Sequence, residues 1–357
     1  MTDTDRGGQV ARGMDAADIE RKVRSGERLS RADGIALYDC DDLAWLGGLA
    51  HQVRTRHSGD TARFAVHRSL ELTADTGEAV GRATRWAAEG VTELRLTTGG
   101  IGWSGLPGAV RTLRDALPAE VALTACTVAD VAGFAAEHAE HAEHAEHTDG
   151  ASGVLDTLAE AGLDGLCAEG PVETAAEAEL SWEERARVLR LAHATGLATP
   201  CTVRYGSVAA PAERADFVDR LLRLRELQDE TGGFQVFLPL RRDVPQSATG
   251  AEILTTFAVS RLLLDNVPHV AVDWALHSVQ TAQLALQHGA DEMAGAVVDG
   301  EQAQGEGQGD ALTREDLLDL ITDTGFRPVQ RDVRHRELRG FPGPDPQRRE
   351  TPQPMRV

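Results

Sequence analysis

The sequence predicts an α/β protein built as one TIM-like (β/α)8 barrel behind an N-terminal helical extension. Three observations predict it. Eight short runs of strand character alternate with helical periodicity between Phe64 and Val298. Gly196, Gly289 and Gly325 stand where helices of that pattern should stop. The connection after the first strand, Thr73-Ala74-Asp75-Thr76-Gly77, holds a single glycine, whereas the alternative, an open doubly wound sheet, usually brings a Gly-rich loop there.

Taken in order, residues 1–14 are polar and Gly-containing and read as a disordered leader. Residues 15–58 read as the helical extension. Ile19, Val23 and Leu29, then Ile35, Leu37, Leu43, Leu46 and Leu49, recur at mixed three- and four-residue spacing, with Asp33 and Asp41 as candidate N-caps. Residues 59–299 form the barrel. Its expected strands are Phe64–Thr73, Thr92–Thr98, Val121–Thr127, Gly165–Ala168, Thr199–Tyr205, Phe234–Leu240, His269–Trp274 and Gly295–Val298. Helical patterns lie between them at Gly77–Glu89, Gly108–Ala116, Val128–His147, Ser181–His193, Ala212–Glu230, Gly250–Leu264 and Ser278–His288. Residues 300–311 are a Gly/Gln linker. Residues 312–340 hold the last helix, opened by Thr313 with Asp316 three positions on, and a following segment expected to pack on the barrel. Residues 341–357 are a Pro- and Arg-rich tail.

Charge and composition narrow the function. The 57 acidic against 36 basic residues give a net charge of −21, a field that repels phosphate backbones and anionic membranes, so neither nucleic acid nor a membrane is expected as partner. No apolar run approaches the roughly 20 residues that span a bilayer. The opening MTDTDRGGQV lacks the pattern of a signal peptide, so the expected location is cytoplasmic. Cys40, Cys126, Cys167 and Cys201 lie far apart, as buried thiols of a reducing compartment do.

Several groups are candidates for chemistry. Glu137 to His147 repeats His every third position, which on a helix sets neighbouring imidazoles a turn apart, near enough for Zn or Ni; it reads better as a low-complexity helical expansion, and no metal site is assigned. Cys126, Cys167 and Cys201 fall at the third, fourth and fifth strands, where convergence on a metal is the alternative to structural burial. Thr98, Gly99 and Gly100 close the second strand, where bare backbone N–H groups suit a carboxylate. Arg204 and Tyr205 end the fifth strand and His277 follows the seventh, on the face where barrel enzymes keep functional groups. Within the first strand, one of His67 and Arg68 should point into the barrel. No Ser–His–Asp order, Walker loop or HExxH occurs.

Together several stretches resemble the aminofutalosine synthase family, radical S-adenosylmethionine (SAM) enzymes of the futalosine route to menaquinone. They are Ser25–Arg54, TPCTVRYG (Thr199–Gly206), Arg223–Leu240, Ala248–Val270, QTAQLALQHGADEM (Gln280–Met293), LTREDLLDLI (Leu312–Ile321) and the tail PDPQRRETPQPMRV. The resemblance implies a radical SAM barrel, with a [4Fe–4S] cluster and S-adenosylmethionine as the family's cofactors. It also exposes a departure. The family's CxxxCxxC loop should follow the first strand, yet Phe64–Thr73 runs directly into Ala74-Asp75-Thr76-Gly77, and no cysteine lies between Cys40 and Cys126. The loop Arg241–Ser247 is shortened, and Ala168 to Glu173, including Glu169, keeps a trace of a Gly-rich, Glu-containing loop.

These features imply a divergent paralogue, a cluster-less pseudoenzyme with no cofactor expected, acting as a binding or partner subunit beside a related synthase. Arg68, Thr98, Gly99, Gly100, Glu169, Arg204, Tyr205 and His277 are the expected ligand-binding groups of the barrel mouth, for a small molecule that the sequence does not name. The alternatives are an active SAM-dependent transferase with a centre built on Cys126, Cys167 and Cys201, or a barrel turned to non-radical chemistry through His277, Glu169 and Arg204.

Overall fold

The computed structural model describes residues 15–73, 75–98, 101–141, 150–242, 248–297 and 312–344; in the helix reaching His141 the last four residues are described by backbone alone. Three helices form the extension: α1 (Ala16–Ser25), α2 (Arg31–Tyr38) and α3 (Leu43–Ser58). The barrel follows as β1 (Thr61–Phe64), β2 (His67–Glu71), α4 (Thr76–Ala88), β3 (Glu93–Thr97), α5 (Gly102–Ala116), β4 (Ala122–Ala125), α6 (Val128–His141), α7 (Gly150–Glu160) and β5 (Gly165–Leu166). It continues with α8 (Ala175–Glu179), α9 (Trp182–Thr195), β6 (Thr199–Tyr205), α10 (Pro211–Thr231), β7 (Phe234–Arg241), α11 (Gly250–Leu263), β8 (His269–Asp273), α12 (Trp274–His277), α13 (Val279–Gln287) and β9 (Glu292–Ala294). Then come α14 (Arg314–Asp323), β10 (Arg327–Arg331) and β11 (Glu337–Gly340).

The barrel closes because residues 61–71 are one nearly continuous extended run that serves two neighbours. Its first half, β1, pairs in parallel with β9 through Arg63↔Glu292 and Phe64↔Met293. Its second half, β2, pairs in parallel with β3 from His67↔Glu93 to Glu71↔Thr97. Parallel pairing then runs through β4 to β5 and from β6 through β7 and β8 to β9. A single bridge, Gly165↔Ala198, joins β5 to β6. A Cβ on Gly165 would meet the Ala198 carbonyl oxygen at 2.6 Å, so only glycine permits that bridge. The ring therefore has eight strand positions, as the alternation of the sequence predicts.

Local chemistry explains the helix starts. Ser30/Asp33, Thr174/Glu177, Ser181/Glu184, Thr249/Glu252 and Thr313/Asp316 form reciprocal capping boxes. Asp33 is thus the N3 partner of the Ser30 cap rather than the cap itself, and Asp42, not Asp41, caps α3. The extension buries Ile19, Val23, Leu29, Leu37, Leu46 and Leu49. Arg28 pairs with Asp229 and Asp265, and Arg31 with Asp219, tying the extension to α10 and the end of α11.

The eighth strand is Glu292–Ala294, not Gly295–Val298. Its charged start hides it in the sequence: Asp291 and Glu292 are buried, and ion pairs with Arg261 and Arg331 compensate their charge. The C-terminal hairpin was not expected. β10 lies parallel to β1 and antiparallel to β11, so the chain after α14 returns to the N-terminal end of the barrel.

Candidate ligand-binding mouth of the barrel

Strand pleating sorts the groups expected at the mouth. Along β6, Cys201, Val203 and Tyr205 share one face and Thr202 and Arg204 the other. Tyr205 packs edge-on against Phe217 of α10, which places the Tyr205 face toward the helical layer and the Arg204 face toward the lumen and mouth.

Arg204 is the centre of the mouth. Its Nε donates to the Gly170 carbonyl at 2.9 Å, Nη1 lies 3.3 Å from Glu169 Oε2, and Nη2 donates to Glu177 Oε2 at 2.8 Å. Glu173 stands 3.6 Å from Nη1. Arg185 from α9 holds the other oxygen of Glu169. The Glu177 carboxylate also closes the cap of α8, so the segment after β5 is locked onto Arg204 from two sides. Burial and the neighbouring Arg204 charge push the Arg185 guanidinium below its usual range. A cavity of about 310 Å³ borders this cluster, lined by Cys167, Glu169, Trp182, Thr202, Arg204 and Arg242 among others.

The other expected groups separate from it. Tyr205 and His277 form a buried pair in the helical layer. The His277 Nδ1–H faces the Asp273 carbonyl oxygen at 2.9 Å, which fixes the tautomer and leaves Nε2 to accept the Tyr205 hydroxyl at 2.8 Å. Burial lowers His277 to about 4 and raises Tyr205, so both are neutral, satisfied and structural. Arg68 is turned away from the lumen: it sits over the Trp86 ring of α4 and 3.5 Å from Glu89. The pleat sends His67 inward instead, where burial, with Arg95 adding, lowers it to about 3. Thr98 follows β3 half-buried, and its carbonyl accepts the Ile101 N–H. Gly99 and Gly100 lie outside the described residues, as does His144 to His147 of the His repeat.

The four cysteines do not fit a [4Fe–4S] cluster. The connection from β2 to α4, Leu72 to Asp75, carries no cysteine, and Asp75 caps α4. Cys201 lies on the outward face of β6 and Cys167 borders the lumen, while Cys126 sits at the end of β4 with φ +59°. Cys167 N–H donates to the Cys126 carbonyl, but no cluster of three metal-binding side chains exists among the described residues. Burial raises all three thiols, Cys167 to about 11, the reverse of what a ligand thiolate needs.

The floor of the barrel is a second polar assembly that the sequence concealed. Arg331 of β10 and His335 beyond it enter from the N-terminal end. Arg331 contacts Glu292 of β9 and Glu93 of β3, and His335 Nε2 lies 2.9 Å from Glu292. Beside it, Asp291 accepts from Arg261 at 2.8 Å, from the Val270 N–H at 2.7 Å and from His269 at 2.6 Å. Burial alone would raise Asp291 and Glu292; Arg261 holds the first below its ordinary range, and Arg331 with His335 the second. The Asp291-Glu292 doublet behind Gly289-Ala290 was the available signal.

The ring of eight parallel strands, helical extension and mouth define a barrel of the radical SAM fold class. The FeFe-hydrogenase maturase HydG from Carboxydothermus hydrogenoformans superposes with a TM-score of 0.62 at 13% identity, over 88% of this chain and 79% of that one. Residues 234–343 match the CofH/MqnC C-terminal region. Aminodeoxyfutalosine synthase of Streptomyces coelicolor is 47% identical over 96% of this chain and all of its own length, and that of Thermus thermophilus is 32% identical over 90% and 95%. The chain belongs to the aminodeoxyfutalosine synthase family. The alignment with the Streptomyces relative extends over 400 residues against 357 in this chain, so that relative has stretches with no counterpart here. No helix among the described residues is long and apolar enough to cross a membrane.

Proposed function

We propose that this chain is an aminodeoxyfutalosine synthase-like protein of menaquinone biosynthesis that works without the family's cluster, as a cytoplasmic binding or partner subunit beside a related synthase. Its full-length likeness to the synthases supports the family role. The observation that carries the loss of the cluster is the cysteine-free connection from Leu72 to Asp75, which leads from β2 directly into a capped helix. Three thiolates are needed to hold three irons, and Cys126 and Cys201 are buried, Cys167 half-buried, and all three protonated and differently directed. What remains at the mouth is a polar, Arg-centred pocket suited to holding a small molecule.

The 47% identity favours a second reading, an active synthase with a non-standard centre. Anaerobic reconstitution with iron and sulfide separates the two, using a variant in which the His repeat is replaced by alanine to avoid stray metal. The first reading expects no stoichiometric iron and no cleavage of S-adenosylmethionine. Roughly four irons per chain with the broad absorbance of a [4Fe–4S] centre, and cleavage of S-adenosylmethionine, would overturn it in favour of the second.

A further inference from the structure

Above the Gly165↔Ala198 bridge β5 and β6 no longer pair, and the barrel wall opens beside Arg204. The cavity there extends out of the lumen: the outward-facing Cys201 and Val203 line it, with Trp182 and Leu189 of α9 and Leu224 of α10. Five arginines border it, in a chain whose net charge is −21. Arg185 and Arg204 are consumed by Glu169, Glu173 and Glu177. Arg220 is shared with Asp216 one turn back on α10. Arg223 and Arg242 have no ion-pair partner among the described residues. The acid that feels Arg223, Asp219, is already gripped by Arg31 at 2.5 and 2.9 Å.

Two guanidinium groups without an ion-pair partner among the described residues line this cavity together with Arg220; such a set complements a dianion better than a single carboxylate, and the planar guanidinium fork matches phosphate oxygens. A volume of about 310 Å³ exceeds what a bare phosphate fills, and Trp182, Leu189 and Leu224 offer an apolar wall for the remainder. We propose that this lateral cavity binds a phosphate monoester, its phosphate held by Arg220, Arg223 and Arg242 and its organic part against Trp182. The cavity is the Arg-centred pocket on which the proposed binding role rests; its phosphate-holding wall stands whether or not the chain carries a cluster, and loss of phosphate binding would leave that role to be tested by the iron and S-adenosylmethionine measurements alone.

Calorimetric titration of the full chain at low ionic strength, in a buffer free of phosphate, tests it with inorganic phosphate and phenyl phosphate as probes. Saturable one-site binding is expected, tighter for phenyl phosphate, and weakened about tenfold or more in an Arg223→Gln/Arg242→Gln variant. Both positions lie at the protein surface or cavity rim, and circular dichroism checks the fold. Arg24→Gln, on the exposed face of α1, should leave binding unchanged. Absence of saturable binding, or wild-type affinity in the double variant, would overturn the site. Equal affinity for the two probes would overturn the organic part of the proposal.

Discussion

Arg331 and Glu292 form a buried ion pair, Nη2 to Oε1 at 2.5 Å, although Arg331 belongs to β10, outside the eight-stranded ring, and Glu292 to β9 within it. Through Nη1 the same guanidinium lies 3.3 Å from Glu93 of β3. One side chain of the C-terminal hairpin therefore bridges the strands on either side of the 61–71 run, at the place where the barrel closes.

Arg331→Met should cost about 3–5 kcal/mol of folding stability, because two buried carboxylates lose their shared cation. The pH dependence identifies the cause. Burial would raise Glu93, but Arg95 and Arg331 overcome it and hold its carboxyl at about 2, and Glu292 also sits below its usual range. Groups lowered in this way stabilise the fold above their unfolded pKa, near 4.5, and lose that contribution as pH falls through the folded value. Without Arg331 both carboxylates rise from these positions, Glu292 most because Glu93 keeps Arg95, so the deficit measured by urea unfolding should be largest near pH 7 and shrink as pH falls. A deficit independent of pH would mean that Arg331 acts by packing alone.

Tyr205→Phe should destabilise the protein by about 1–3 kcal/mol, since it strips His277 Nε2 of its donor inside the helical layer while conserving the ring. Ligand binding at the mouth should be unchanged. An unaltered urea midpoint, or a lost mouth affinity, would contradict the structural role given to this pair.

Much of the fold could be read from the sequence because its signals are local. Strand runs, capping boxes at Ser181/Glu184 and Thr313/Asp316 and the stop at Gly196 each depend on neighbours a few residues apart. The mouth was partly legible: Glu169 and Arg204 meet, as residues placed at the ends of adjacent strands should. Tyr205, His277 and Arg68 did not join them, because strand parity and a shift of one residue decide which face a side chain takes. The floor was illegible for another reason. Asp291 and Glu292 look like surface residues until Arg261, Arg331 and His335, the last more than 40 positions beyond, arrive to neutralise them.

Acid should weaken the fold well before the carboxylates titrate. Burial lowers His67 to about 3 and both His193 and His277 to about 4, against an ordinary value of 6.5. A histidine lowered by folding binds its proton more readily in the unfolded chain. Its stabilising contribution is therefore complete above pH 6.5 and is lost as pH falls toward the folded value. Each such group adds up to about 1.4 kcal/mol per pH unit to the slope between pH 6 and 4. His193→Gln, which can still reach Thr199 and Thr231, should flatten that slope by about one proton's worth. An identical slope in the variant would show that His193 is not among the groups that resist protonation.

The thiols give the most direct physical check on the proposed absence of a cluster site. A loop that binds iron presents accessible cysteines whose thiolates form readily, whereas Cys126 and Cys201 are buried and Cys167 is raised to about 11 by burial. Titration of the native, metal-free protein with an aromatic disulfide reagent at pH 8 should label Cys40 first, and slowly, because its own partial burial raises it too. The remaining thiols should react only on unfolding in urea, bringing the total to the four cysteines of the chain. The rate for Cys126, Cys167 and Cys201 should follow the unfolding equilibrium, rising with urea and falling when stability is restored. Rapid native labelling of all three, at a rate independent of urea, would place reactive thiolates together on the open face and make a metal centre there physically reasonable.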